Sequence, residues 1–304
     1  MLNVYCCGGA GSNVGKQITD LDVNVTFIDT SVSNLKGVDE SKIYKIDGID
    51  GAGKDRKITY ENFKNPDEVL IRFKPSLELN IVISSLSGGS GSIIAPVLAR
   101  ELIKQGHNTI VVAIDSTSSV IEIDNCIKTL KTYKSFSNGA KKSFSIYPIH
   151  NGSRKEADGR AINFINLVSL LVNKEHTEEF DTSDLRNFIN FDNVTDNEPN
   201  VSIIEINANE NIVPEKNTSI VSTILLTTDK NSTIKPVIPE YLSVCVVTDK
   251  NYKNEDIRID NTLGKLALIV EGYEAQKKEC SDNKRINKFN DVSVEATTED
   301  GAVI

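Results

Sequence analysis

The sequence predicts an α/β protein: a doubly wound domain built on a parallel sheet, joined through a long central helix to a smaller mixed α+β domain with a C-terminal helix and tail. Three observations carry this. Short apolar runs alternate with helix-compatible stretches through the first half, several of these runs stop at glycine-rich turns, and beyond residue 200 the alternation gives way to strands separated by Asn-, Pro- and Lys-rich loops. Parallel neighbours need a helix-length crossover, so the first half demands a sheet covered on both faces.

In chain order, Leu2–Cys7 is an apolar run that ends in Gly8-Gly9-Ala10-Gly11, with a helix-compatible stretch from Ser12 to Thr19 after it. Strand, glycine turn and helix follow from that order. Val23–Ile28, Ile43–Ile46 and Leu79–Ser84 read as the next strands, the last closing on a second glycine turn. Ser92–Gln105 reads as a helix stopped by Gly106, glycine being the usual residue just past a helix end. Thr109–Ile114 is a strand, Ser119–Tyr133 a helix and Phe144–Ile149 a further strand. Gly159–Val172 carries Ile162, Ile165, Val168, Leu171 and Val172 at helical spacing and forms the connecting helix. Val201–Ile206, Ser219–Thr227 and Tyr241–Val247 are strands of the second unit. Leu263, Leu266, Ala267, Val270 and Tyr273 give a last helix with one face packed on that unit. The reading divides the chain into residues 1–158, a central helix and following loop over 159–180, a second domain over 181–289, and an acidic, mobile tail over 290–304.

With 304 residues, 39% hydrophobic and 25% charged, two cores can be buried. A net charge of -9 argues against direct nucleic-acid binding by counterion release, so any such cargo is held through an adaptor. The five cysteines are scattered without a CxxC pair and read as buried thiols of a reducing compartment, and three histidines give no metal site. No apolar run approaches the ~20 residues that span a bilayer, which points to a cytosolic protein without membrane contact.

Glycine turns after two strands of one parallel sheet bring backbone N–H groups and helix N-termini to the same carboxyl edge, where they form a phosphate cradle. The first turn is Gly8-Gly9-Ala10-Gly11-Ser12-Asn13, the second Ser87-Gly88-Gly89-Ser90-Gly91-Ser92. A third cluster, Gly48 to Lys54, is placed to close over a terminal phosphate. Its Gly53-Lys54 pair does not make a P-loop, because Asp55 stands in the Ser/Thr place and no helical pattern follows directly.

The run Ser87-Gly88-Gly89-Ser90-Gly91-Ser92-Ile93-Ile94-Ala95-Pro96-Val97-Leu98-Ala99 resembles the signature loop of the tubulin and bacterial division GTPase superfamily. The resemblance extends to Gly8-Gly9-Ala10-Gly11-Ser12-Asn13 as the first nucleotide loop, Asp29-Thr30-Ser31 as the second, and Gly51-Ala52-Gly53 as the γ-phosphate-sensing third. Asn151 and Asn166 resemble the family's two guanine-reading asparagines, whose amides pair both acceptor and donor edges of the base; a capping or exposed role is the alternative for each. Phe180-Asp181-Thr182-Ser183-Asp184-Leu185-Arg186 resembles the family's synergy loop. The residues alone favour a helix N-cap and its first-turn partner; on the resemblance, Asp181 and Asp184 instead enter the pocket of the next subunit and orient the attacking water. The resemblance implies GTP and GDP as ligands with Mg2+, self-association into longitudinal filaments, and hydrolysis stimulated by assembly.

Ser87 and Ile93 replace outer glycines of the signature, and the tail is acidic, with Asp291, Glu295, Glu299 and Asp300 following Lys277, Lys278, Lys284, Arg285 and Lys288. Together these resemble the phage tubulins, whose tail docks on the neighbouring subunit and whose filaments position or segregate phage DNA in the host cytoplasm. Two rivals stay open at this point. Gly9-Ala10-Gly11 followed by Asp29 mimics the fingerprint of an NAD-dependent oxidoreductase, with Val14 in the third glycine's place. A non-hydrolysing GTP-binding scaffold is the other.

Overall fold

The computed structural model describes residues 2–19, 23–172, 180–207, 216–229, 242–247, 257–284, 297–298, 300–301 and 303. Its strands are β1 Leu2–Cys7, β2 Val23–Asp29, β3 Ile43–Lys45, β4 Leu79–Ser85, β5 Thr109–Ile114, β6 Phe144–Ile149, β7 Val201–Asn207, β8 Ser219–Thr227, β9 Leu242–Val247 and β10 Ile257–Leu263. The helices are α1 Gly8–Gly15, α2 Val32–Leu35, α3 Arg56–Asn62, α4 Pro66–Arg72, α5 Gly91–Lys104, α6 Val120–Ala140, α7 Arg154–Val172, α8 Thr182–Ile189 and α9 Lys265–Lys284.

The strands form one sheet in the order β3-β2-β1-β4-β5-β6-β7-β10-β8-β9. From β3 to β6 every pairing is parallel. Alternate side chains of β1 point to opposite faces, as a period of two requires. Val4 and Cys6 join Val14 of α1 and Phe164, Leu167 and Val168 of α7 in one core; Tyr5 and Cys7 join Ile94, Val97 and Leu98 of α5 and Leu130 and Tyr133 of α6 in the other. This is the doubly wound arrangement expected of the first half, with α7 as the long central helix.

The strands of the second half extend the same sheet. β7 pairs in parallel with β6 through Phe144↔Val201, Ser145↔Ser202 and Ile146↔Ile203, and antiparallel with β10 further along. A buried polar seam crosses this junction: Ser145 Oγ donates to the carbonyl of Ile189 at 2.9 Å, and Asn261 Nδ2 to that of Phe188 at 2.9 Å. The end of α8 is thereby fixed to the sheet.

Several expectations are revised. The first helix begins at Gly8 rather than Ser12, so the glycine turn is itself the first helical turn. β10 was not anticipated, because its interior holds the buried pair Arg258–Asp260, 2.6 Å apart, which makes an inner strand look polar. A helix does follow Lys54 directly: α3, capped by Asp55, whose side chain accepts from the N–H of Lys57 at 2.8 Å. The apolar face of α9 packs on β7 and also on α6 of the first half, where Lys277 pairs with Asp124.

The tail is not free where it is described. Thr297 and Val303 form an antiparallel bridge, Asp300 pairs with Arg100 of α5 at 2.9 Å and accepts from the Tyr60 hydroxyl at 2.6 Å, and the Val303 N–H donates to Thr132 Oγ1 of α6 at 3.1 Å. These residues dock on their own chain. Asp291, Glu295, Glu299, Arg285 and Lys288 lie outside the described residues, as does the stretch 173–179.

Candidate functional site

The carboxyl ends of β1, β2, β4, β5 and β6 surround a cavity of about 440 Å³. Gly9 and Ala10 of the first loop, Gly51, Ala52 and Gly53 of the third, and Ser87, Gly88, Gly89, Ser90 and Gly91 of the second phosphate loop line it, with Asn151 after β6. Cys7, Ser31, Asn34, Ser85, Ser116 and Glu122 complete the wall. No described helix is long and apolar enough to cross a membrane, and no cluster of metal-ligating side chains occurs among the described residues.

The loops interlock by contacts that only small residues permit. A Cβ on Gly91 would lie 2.7 Å from the carbonyl oxygen of Cys7, so α5 starts hard against the end of β1. A Cβ on Gly89 would meet Ala52 Cβ at 2.8 Å and the Asp55 nitrogen at 2.9 Å, so the second phosphate loop presses on the third. Polar bonds lock the same joints. Thr30 Oγ1 and Ser90 Oγ are 2.6 Å apart, the Gly51 N–H donates to the Thr30 carbonyl at 3.1 Å, and Asn125 Nδ2 donates to the carbonyls of both Lys54 and Ser87 at 3.0 Å.

Two helices of eight residues or more begin at this cavity without a side-chain cap, α1 behind Cys7 and α5 behind Ser90, and the four-residue α2 behind Ser31 has none either. Asp55, Ser119 and Asp181 cap α3, α6 and α8, while α4 opens on Pro66 without a side-chain cap. An uncapped N-terminus leaves N–H donors and a partial positive charge without a partner. Two of them converging on one open space make an anion site from backbone alone.

The remaining predicted residues are placed as follows. Gly8 and Gly11 sit beneath the cavity in the packed base of α1, Ser12 is fully buried with its hydroxyl unpartnered among the described residues, and Asn13 is half-buried. Ser92 is buried, its hydroxyl donating to the Gly88 carbonyl and so closing the loop on itself. Asp29 is also fully buried. Its Oδ1 accepts from the Thr30 and Ser31 N–H groups at 2.7 and 3.2 Å and its Oδ2 from Asn34 Nδ2 at 2.9 Å; burial raises its pKa against those hydrogen bonds. A carboxylate buried in this way shapes the second loop and is closed off from a ribose, which removes the main support for a dinucleotide site. Asn166 is not brought to the cavity: α7 starts at Arg154, earlier than the charged residues there suggested, which puts Asn166 in the helix's second half, facing solvent.

Asn151 is held from behind. Its N–H donates to Asp115 Oδ1 at 3.0 Å, and Asp115 also pairs with His150 Nδ1 at 3.0 Å and accepts from the Tyr273 hydroxyl of α9. Glu122 was missed because Ser119-x-x-Glu122 looks like a capping pattern; the Ser119 hydroxyl does accept from the Glu122 N–H at 3.3 Å. Its carboxylate pairs with Lys54 at 2.9 Å while Oε2 has no partner among the described residues. Burial pushes its pKa up, but the hydrogen bond and charge of Lys54, with bonds from Ser119 and Ser116, outweigh this and hold it down. The wall thus offers one ionised acceptor for hydroxyl groups.

Asp181 and Asp184 lie at the other edge of the sheet. They close a capping box at the start of α8, the Asp181 side chain accepting from the N–H groups of Ser183 and Asp184 at 2.6 and 3.1 Å. Those bonds hold the pKa of Asp181 below its ordinary value. Asp181 shares a small pocket with Glu78, the residue before β4, while Ser85 at the far end of β4 lines the cavity. Seven extended residues separate the two, on the order of 20 Å. The acids and the cavity cannot meet within one chain.

Among curated proteins, a phage tubulin-like protein of Pseudomonas phage PhiPA3 is 32% identical over 192 residues, covering 62% of this chain and 60% of its own length. Another from Pseudomonas phage phiKZ is 30% identical over 204 residues, covering 62% of each chain. The matched stretch spans under two thirds of these relatives' length. Among solved structures, the phage tubulin PhuZ with GDP has a TM-score of 0.85 at 23% identity, and a protofilament of TubZ from bacteriophage PhiKZ 0.84 at 23%, each over 100% of this chain and 99% of the other. An FtsZ of M. jannaschii has a TM-score of 0.64 at 17% identity, covering 86% of this chain and 90% of its own. No family model matches the chain.

Proposed function

Because the chain belongs to the tubulin/FtsZ superfamily, with phage tubulin-like proteins as its relatives, we propose that it binds GTP and GDP in the cavity and polymerises head to tail. The observation that carries this is the meeting of two uncapped helix N-termini, α1 and α5, in one glycine-lined space. They hold the phosphates through backbone N–H groups, with Gly51, Ala52 and Gly53 closing over the terminal phosphate. Asn151 reads the base, and Glu122 accepts from ribose hydroxyls at the same end. Mg2+ would supply charge compensation for the phosphates; the hydroxyls of Ser87 and Ser90 in the phosphate-loop wall are oxygen donors of the kind it prefers.

Hydrolysis follows from stacking. A neighbour placed against the carboxyl edge brings its opposite edge, with Asp181 and Asp184, over the cavity. Positioned carboxylates there polarise and orient the attacking water, which is most of what phosphoryl transfer asks of a protein. The roughly one-strand separation of acids and cavity within a single chain supports catalysis shared between subunits. The phage source of the relatives supports filaments that position or segregate phage DNA in the host cytoplasm, through an adaptor given the net charge of -9.

The test is light scattering and electron microscopy of the purified protein with GTP and magnesium against GDP. Filaments are expected with GTP. Equal scattering in both nucleotides, with no filaments, overturns the assembly reading.

A further inference from the structure

Arg56 opens α3 immediately behind the third glycine loop, and its side chain turns inward to 3% exposure. Its guanidinium reaches acceptors on three separate parts of the chain. Nη1 donates to the carbonyl of Ser92 at 2.9 Å and to Thr129 Oγ1; Nη2 donates to Thr132 Oγ1 at 3.2 Å and to the carbonyl of Val303 at 2.7 Å. Among the described residues its acceptors are carbonyl and hydroxyl oxygens only, and Nε has none there. Burial draws its pKa down to about 9, so it remains a cation at neutral pH.

A buried cation with no counter-ion paired among the described residues is held there by the oxygens its N–H groups find, and losing one leaves the charge worse solvated. Two of the oxygens here are backbone carbonyls with distinct owners. Ser92 belongs to the second phosphate loop, where its hydroxyl also ties back to Gly88. Val303 belongs to the docked tail, which Asp300, Arg100 and Tyr60 pin beside α5. One guanidinium therefore bridges the loop and the tail.

We propose that Arg56 is a positioning residue that couples docking of residues 297–303 to the shape of the phosphate-holding loop 87–92. A docked tail completes the solvation of Arg56, which holds the Ser92 carbonyl and the loop in place; by reciprocity, a nucleotide that orders the loop favours the docked tail. The coupling rests on the reading of the cavity as a nucleotide site.

The test measures GDP affinity of dilute full-length protein, a chain stopped after residue 296, Arg56→Met, and the combination, alongside hydrogen exchange. Stopping the chain weakens GDP binding about tenfold, a coupling of ordinary size. The combined variant binds no more weakly than Arg56→Met alone, and Arg56→Lys restores part of the loss. GDP also raises amide protection at 297–303 in the parent and less so in Arg56→Lys. Unchanged affinity on stopping the chain, or losses that multiply in the combination, overturns the proposal. Should Arg56→Met fail to fold, Asp300→Asn loosens the tail without touching Arg56 and must weaken GDP binding severalfold; unchanged affinity overturns it again. If the parent binds no GDP, it is the nucleotide reading that fails. Exchange at residues 90–94 then decides the coupling alone, since it must rise when the tail is removed.

Discussion

Thr30 Oγ1 and Ser90 Oγ lie 2.6 Å apart, joining the loop after β2 to the loop before α5 across 60 residues of sequence. One neutral hydrogen bond contributes about 0.5–1.5 kcal/mol. Thr30→Val keeps the shape and removes the hydroxyl, so GDP affinity is expected to fall about two- to tenfold, while the melting temperature changes little. Isothermal titration with GDP checks this, and an unchanged affinity means the joint does not shape the site.

Gly91→Ala forces a methyl toward the Cys7 carbonyl, 2.7 Å away, where both sides are backbone. Overpacking of this kind costs about 1–3 kcal/mol. Thermal unfolding is expected to shift down accordingly and nucleotide binding to be lost. Retained binding in Gly91→Ala would place the phosphates elsewhere.

Asp181→Ala and Asp184→Ala should leave nucleotide binding intact and abolish hydrolysis, with Asp181→Ala also losing the α8 cap. Turnover of the parent should curve upward with protein concentration. Mixing Asp181→Ala with a Gly91→Ala chain should restore turnover at those interfaces where an intact cavity meets intact acids. Turnover linear in concentration down to dilute monomer contradicts the shared site.

The docked tail should respond to acid in a defined window. Burial would raise the carboxyl of Asp300, but bonds from Thr298, Tyr60 and Arg100 and the charge of Arg100 prevail and bring its pKa from 3.8 to about 2. A carboxylate depressed on docking stabilises docking above about pH 3.8, and that stabilisation is lost as the pH falls toward about 2. Pepsin cleavage within residues 297–303 should rise across that interval in the parent, and Asp300→Asn should be cleaved equally throughout it.

The cavity was legible in the sequence to the extent that it is backbone. Gly9, Gly51 and Gly88 to Gly91 announce themselves because a strand that stops at glycine has few local readings, and α/β alternation places those stops on one edge. The side chains that complete the wall give no such signal. Glu122 is disguised by its cap with Ser119, Asn34 sits in a four-residue helix, and Arg56 reads as one more charged residue after a glycine loop. Asn166 lies away from the cavity for a related reason: the polar first turn of α7 hid where the helix starts, and the face a residue occupies depends on that phase. Asp181 and Asp184 show the opposite limit. Their cap is local and readable, while the chemistry proposed for them needs a second chain, which no spacing within one chain encodes.

The two uncapped helix starts have a thermodynamic corollary. Like partial charges face each other across the cavity, and no side chain caps either helix start. An anion bound there is a ligand of the native state alone, so by mass action it adds roughly 4 kcal/mol when present at about a thousand times its dissociation constant. On the proposed reading nucleotide is a folding ligand as well as a substrate: the protein should be purified with it bound, and stripping it should lower the unfolding temperature before it lowers any activity.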